Sequence, residues 1–142
     1  MLQRIQSVWL LIASILAFLS LKFSFFSGNK LLNEQKQFIH LSGTTAENIL
    51  LLIVSVAVGL AALIAIFLYK DRKLQLRTVI ITLVLSLIVI TLYILETQKF
   101  LPNEGNYDLT AVFVFLIPIF LFLAARGIYK DQKLVRSLDR LR

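Results

Sequence analysis

The chain has 142 residues, no cysteine, an apolar fraction of 58% and a charged fraction of only 16%, against roughly 25% charge in soluble domains. This composition excludes a disordered chain, and the missing cysteine excludes a disulfide scaffold, a thiolate nucleophile and a thiolate metal site. Fifteen Lys and Arg against eight Asp and Glu leave a net charge of +7, which points either to a nucleic-acid ligand or to a membrane topology signal.

The apolar residues fall in four blocks, 5–26, 48–69, 78–96 and 109–128. A hydrocarbon core about 30 Å thick needs about 20 helical residues at 1.5 Å each. Four largely uncharged runs of that length in so short a chain cannot bury one another in water. The expected architecture is an all-α membrane protein, one domain of four transmembrane helices followed by a tail over 129–142.

The first block follows Arg4 and contains Val8, Trp9, Leu10, Leu11 and Ile12. Its end, Leu19 to Ser27, lacks a small-x-small cleavage site, so it is read as a retained span rather than a signal peptide. The loop after it opens on Ser27, Gly28 and Asn29, a turn signal. Lys22 to Phe26 and Lys36 to Leu41 carry strand character, which allows a small hairpin. Thr44 and Glu47 have the spacing of a capping box for the second helix.

In the second block Ser55, Gly59 and Ala62 form a stripe of small residues, as Ala13 and Ala17 do in the first. Such stripes let helix backbones approach closely. The third block carries Thr78, Thr82 and Ser86 in an i, i+4 row, whose hydroxyls suit helix packing or, alternatively, the lining of a pore. The second outer loop, Glu96 to Asp108, is acidic, with Pro102, Asn103, Glu104, Gly105 and Asn106 as turn chemistry. Asp108 is the expected N-cap of the fourth helix, and Pro118 within it predicts a kink or a local break. From Lys130 the helix is expected to continue as a short basic amphipathic segment. Leu134, Leu138 and Leu141 lie on one stripe, with Lys133, Arg136 and Arg140 around it. Either anionic lipid headgroups or a cytoplasmic protein partner would suit that segment.

The basic residues then decide orientation. Four spans put both termini on one side. That side would hold Arg4, the basic residues of 70–77 and those of 126–142, eleven in all; the other would hold Lys22, Lys30, Lys36 and Lys99. The positive-inside rule makes the first side cytoplasmic, and nucleic-acid binding becomes the poorer reading of the charge. Trp9, Tyr69 and Tyr129 fall near the predicted inner boundary, and Tyr93, Phe100 and Tyr107 near the outer one. Tyr69-Lys70-Asp71-Arg72-Lys73-Leu74 is echoed by Tyr129-Lys130-Asp131-Gln132-Lys133-Leu134. The echo suggests two helical hairpins in the same orientation.

No ionisable residue falls in the middle of a span, which disfavours proton-coupled transport. His40 is the sole histidine and has no spaced partners for a metal site, so no metal and no cofactor are expected. A Ser/His/Asp site would have to combine His40 with outer-loop residues such as Ser42 and Asp108, which nothing in the spacing supports.

The opening Met1-Leu2-Gln3-Arg4-Ile5-Gln6, the stretch Leu74-Gln75-Leu76-Arg77 and the ending Lys130 to Arg142 resemble a family of small four-span membrane proteins of Bacteroidota, the domain of unknown function 4293. The resemblance covers the whole chain. It implies a bacterial inner-membrane protein with four helices, is similarly marked by charged cytoplasmic segments, and carries no activity.

The expected function is therefore non-enzymatic: an accessory, assembly or scaffolding subunit of a larger membrane complex. Arg72, Lys73, Arg77, Lys133, Arg136, Arg140 and Arg142 would form its cytoplasmic contact surface. Ser55, Gly59, Ala62, Thr82 and Ser86 would pack the helices. The alternatives are a small channel or transporter for an uncharged or lipidic solute, using Thr82, Ser86 and Pro118, and a membrane enzyme at the outer leaflet using Glu47, Glu96 or His40.

Overall fold

The computed structural model describes residues 2–32, 35–44 and 49–139. In chain order they form α1 (Leu2–Lys22), β1 (Phe26–Leu32), β2 (Gln35–Leu41), α2 (Ile49–Phe67), a 3-10 turn (Leu68–Lys70), α3 (Arg72–Thr97), β3 (Gly105–Tyr107) and α4 (Ala111–Asp139). Each helix packs on two neighbours, α1 on α2 and α4, α3 on α2 and α4. Gln6 meets Gly127, Trp9 stacks on Phe120 and Phe23 meets Phe113, so α1 and α4 run antiparallel. Both described chain ends thus lie at one end of the bundle, opposite the strands.

Each helix buries one stripe. In α3 it is Gln75, Val79, Thr82, Ser86, Val89, Tyr93 and Glu96, alternating steps of four and three. In α2, Leu51, Ser55, Val58, Ala62 and Ala65 keep the same rhythm, as do Gln6, Leu10, Ala13, Ala17 and Ser20 in α1. A repeat of 3.5 residues is the knobs-into-holes seam of a left-handed bundle. The other faces are apolar and exposed: Ile5, Val8, Leu11 and Ile15 on α1, Ile53, Leu60 and Ile64 on α2, Ile80, Ile81, Val84 and Leu87 on α3, Val112, Ile119 and Phe122 on α4. An apolar exterior of this extent around a partly polar seam has no place in water. All four helices are long and apolar enough to cross a membrane.

Polar seam residues are mostly satisfied within the bundle. Ser14 Oγ donates to the Gly59 carbonyl at 3.0 Å, Gln75 Nε2 to the Ala65 carbonyl at 2.9 Å, and the buried Tyr93 hydroxyl to the Ser20 carbonyl at 2.9 Å. Thr82 and Ser86 donate within their own helix, to the Thr78 and Leu83 carbonyls.

The all-α expectation is corrected by a three-stranded antiparallel sheet, ordered β2-β1-β3. The first strand begins at Phe26, not at Lys22, and Ser27, Gly28 and Asn29 are strand rather than turn. Gly28 lies opposite Gly105, and a Cβ on Gly28 would meet the Gly105 Cα at 2.8 Å. Glycine is used here for close approach. The turn into β3 needs the other kind of permissiveness. Pro102 and Asn103 occupy its central positions, the Glu104 N–H closes it on the Leu101 carbonyl at 3.2 Å, and Asn103 has φ 67°, the left-handed value of a type II turn.

Two other expectations also change. The third helix begins at Arg72, because Asp71 caps it, its Oδ1 accepting from the Lys73 and Leu74 N–H groups. The fourth helix is unbroken through Pro118. The Thr44 hydroxyl donates to the Leu21 carbonyl at 3.1 Å; the capping box expected with Glu47 lies outside the described residues.

Seam packing yields a direct prediction. Ala62 is fully buried, whereas Ile64 is 55% exposed. Ala62→Leu should destabilise the bundle by about 1–3 kcal/mol through overpacking, while Ile64→Leu should be neutral. Reversible unfolding in mixed micelles checks the pair.

Candidate functional site

Among the described residues at the end that holds the termini, exposed bases outnumber exposed acids. Asp71 is spent as the cap of α3, and Asp131, 9% exposed, is buried on α4. Lys70, Lys73 and Arg77 are exposed around the start of α3, and Arg126, Lys130 and Lys133 along α4. Arg72 joins the two groups, its Nη1 donating to the Asp131 carbonyl at 3.1 Å. The two copies of the sequence echo therefore touch, but in unlike settings: one is a turn and a helix start, the other lies within continuous helix. Arg136 is helical, and Arg140 and Arg142 lie outside the described residues.

The α4 helix also outruns its neighbours. Gly127 is level with Gln6 near the start of α1, yet α4 continues to Asp139. At 1.5 Å per residue that is on the order of two further turns. Lys133, Leu134 and Val135 are exposed on this extension.

The packing residues named above lie inside the bundle: Ser55, Ala62, Thr82 and Ser86 at no more than 2% exposure, and Gly59 against the Phe18 ring. Among the described residues, Ser55 Oγ and Gln6 Nε2 are the buried side-chain polar atoms without a hydrogen-bond partner.

At the sheet end, His40 and Asp108 do converge, but on Ser27 rather than Ser42. Ser27 Oγ donates to Asp108 Oδ2 at 2.5 Å and lies 2.7 Å from His40 Nδ1. With its one proton on Asp108, the hydroxyl accepts from Nδ1–H. The order is carboxylate, hydroxyl, imidazole. A hydrolytic triad instead puts the imidazole between the other two, as base to the hydroxyl. The Asp108 carboxylate thus binds β1 to the start of α4 instead of capping it; the backbone cap is the Asp108 carbonyl, which accepts from Ala111 N–H at 2.9 Å. Beside it, Glu104 accepts from Lys36 Nζ at 2.6 Å and Asn29 Nδ2 at 3.1 Å, linking β1 and β2 to the turn that leads into β3. Glu96, which ends the α3 seam, is 3% exposed and pairs with Lys99 at 2.8 Å. Among the described residues no group of three or more His, Asp or Glu is placed to hold a metal.

Sequence spacing gave no hint of Ser27, because its partners stand on other strands and 81 residues away. The seam residues Gln6, Gln75, Tyr93 and Glu96 were readable in principle, from the seven-residue rhythm that Thr82 and Ser86 already share.

An apolar exterior, four helices of membrane-crossing length and a partly polar seam define an integral membrane protein. The chain belongs to the family described as domain of unknown function (DUF4293), which it matches over residues 2–141. No curated protein and no solved structure matches it.

The Glu104 carboxyl is held below its ordinary value of 4.5, first by the Lys36 hydrogen bond and then by Asn29. A lowered value means that this link favours the fold above the ordinary pKa and is lost as pH falls through the lowered one. Carbon-detected NMR titration should place Glu104 below 4.5 in the native chain and move it upward in Lys36→Met.

Proposed function

We propose that this membrane protein resides in the bacterial inner membrane with both termini in the cytoplasm. In this reading it is two helical hairpins of the same orientation, and a non-enzymatic accessory, assembly or scaffolding subunit of a larger membrane complex. The orientation rests on the eleven-to-four partition of Lys and Arg. The contact surface is Arg72, Lys73, Arg77, Lys133, Arg136, Arg140 and Arg142, with anionic headgroups around its base.

The observation that carries the docking role is the unbroken run of α4 past the bundle. An interfacial helix must bend to lie in the membrane plane. The unbroken run of α4 past the start of α1 supports a segment that projects beyond the bundle rather than one that lies on the lipid surface. With Asp131 buried, the exposed Lys70, Lys73, Arg77, Arg126, Lys130 and Lys133 outweigh the exposed Asp71, which suits an acidic partner. The pore alternative draws less support, since the Thr82 and Ser86 hydroxyls donate to their own helix within a closed seam.

Photo-crosslinking from position 133 in native membranes tests the reading. The expected result is a discrete protein adduct that is absent when the probe is at Ile64 and lost on Lys73→Glu with Arg77→Glu. Lipid adducts alone, or a native extract that runs as a lone species, would contradict it.

A further inference from the structure

Between described residues the ion pairs Lys36–Glu104 and Lys99–Glu96 both lie at the sheet end. At the opposite end Arg72 differs from the other bases. Lys70, Lys73, Arg77, Arg126, Lys130 and Lys133 are exposed, whereas Arg72 is half-buried. Its Nη1 donates to the Asp131 main-chain carbonyl at 3.1 Å, an acceptor without net charge. Among the described residues no carboxylate comes within ion-pair distance of it. Asp71 turns its Oδ1 to the Lys73 and Leu74 N–H groups, and Asp131 is buried. The guanidinium is thus held in place with most of its N–H donors unused and its charge uncompensated.

Its height in the fold says what supplies the anion. Arg72 stands at the junction of two segments of membrane-crossing length, Ile49–Lys70 and Arg72–Thr97. Tyr69 just before it and Tyr129 just before Asp131 are both exposed, and exposed tyrosine marks the headgroup layer. The abundant anion of that layer is the lipid phosphate. A soluble acidic segment would meet the exposed lysines first, whereas a lipid reaches a half-buried guanidinium along the membrane itself.

We propose that Arg72 clamps the phosphate of one anionic phospholipid at the boundary between α3 and α4. The guanidinium fork matches two phosphate oxygens at once. Leu76 and Leu83 follow Arg72 at helical spacing and are half-buried on the same flank of α3, the flank toward α4. On α4, Gly127 and Phe120 face α1, so Ala125 and Tyr129, on the other side of the buried stripe, border α3. An acyl chain continuing from the phosphate lies along these apolar flanks. The exposed lysines select the headgroup: they repel the amine of a zwitterionic lipid and admit a headgroup with no positive group, such as that of phosphatidylglycerol. This deepens the headgroup contact of the reading above and rests on its membrane placement. It does not use the docking of α4, which crosslinking from position 133 tests by itself.

Native mass spectrometry of the full chain in mild detergent tests the site, with equal amounts of phosphatidylglycerol and phosphatidylcholine of identical acyl chains. The native chain should retain one phosphatidylglycerol in preference to phosphatidylcholine. Arg72→Gln should lower that retention about tenfold, the scale of a lost charge-assisted pair, with unchanged helical circular dichroism. Lys73→Gln and Lys130→Gln should each lower it less than about twofold, as exposed charges do. NMR of the native chain in bicelles reads the same site without a change to its folding. The arginine side-chain resonance that is missing from Arg72→Lys should shift when phosphatidylglycerol replaces phosphatidylcholine, and should stay in place when inorganic phosphate is added. Native retention in Arg72→Gln, an equal loss in all three glutamine variants, equal retention of phosphatidylcholine, or a shift with inorganic phosphate alone would overturn the proposal.

Discussion

The structure depends on how helices cohere where lipid is as apolar as they are. In a bilayer, burying leucine against leucine gains little over leaving it in the acyl chains, so association rests on close packing and on hydrogen bonds that lipid cannot supply. The chain meets that constraint with a seam of small and polar residues. Ala13, Ala17, Gly59, Ala62 and Ala65 bring the backbones together, while Ser14, Gln75 and Tyr93 donate to carbonyls of neighbouring helices or turns. Many of the bulky aliphatic residues are turned outward, while Leu10, Leu51, Leu121 and Ile128 stay in the interior. A sequence of 58% apolar content thus builds a bundle whose interior is, on α3, more polar than its surface.

The sheet end follows from the same requirement that every backbone group near lipid be satisfied. The last carbonyls of α1 would otherwise be orphans. Phe23 N–H closes on the Leu19 carbonyl, and the Gly43 and Thr44 N–H groups come back from the end of β2 to the Ser20 and Leu21 carbonyls. Gly43 allows this approach, since a Cβ there would meet Leu21 and the Tyr93 hydroxyl at under 3 Å. Phe25 then stacks on Tyr93 at 4.6 Å and meets Phe115 and Tyr107. Thr110 donates to the Ser24 carbonyl, and Ser27 with Asp108 ties the start of α4 to the central strand. At the opposite end the connection is a single 3-10 turn, and the polar groups serve to cap α3 and to hold Arg72 against α4.

Much of this was legible in the sequence for a simple reason. Membrane-crossing helices are recognised by length and lack of charge, which are local properties, and the four blocks carry both. The strands were partly legible: Lys36 to Leu41 carries the aromatic and β-branched residues Phe38 and Ile39 that favour strand. Ser27, Gly28 and Asn29 instead carry the residues of a turn, because their glycine is needed for the approach of Gly105, a requirement set by a distant segment. Helix boundaries erred where charge was read as the end of a helix. Arg72 to Arg77 is helical because Asp71 caps it, whatever the bilayer does. The Ser27, His40 and Asp108 cluster had no local signal, since each member comes from a different segment. The cationic character of the opposite end was legible as composition, but not the burial of Asp131 or the engagement of Asp71 as a cap.

The central claim is that α3 presents its polar stripe to the bundle and its aliphatic residues to lipid. Single cysteines placed in turn along 75–96, labelled with a nitroxide in liposomes, give accessibility to lipid-dissolved oxygen by EPR. Protection at 75, 79, 82, 86, 89, 93 and 96, repeating every 3.5 residues, with maxima at 80, 84 and 87, is the predicted result. Oxygen accessibility at 82 and 86 matching that at 84 and 87, or protection without that period, would contradict it.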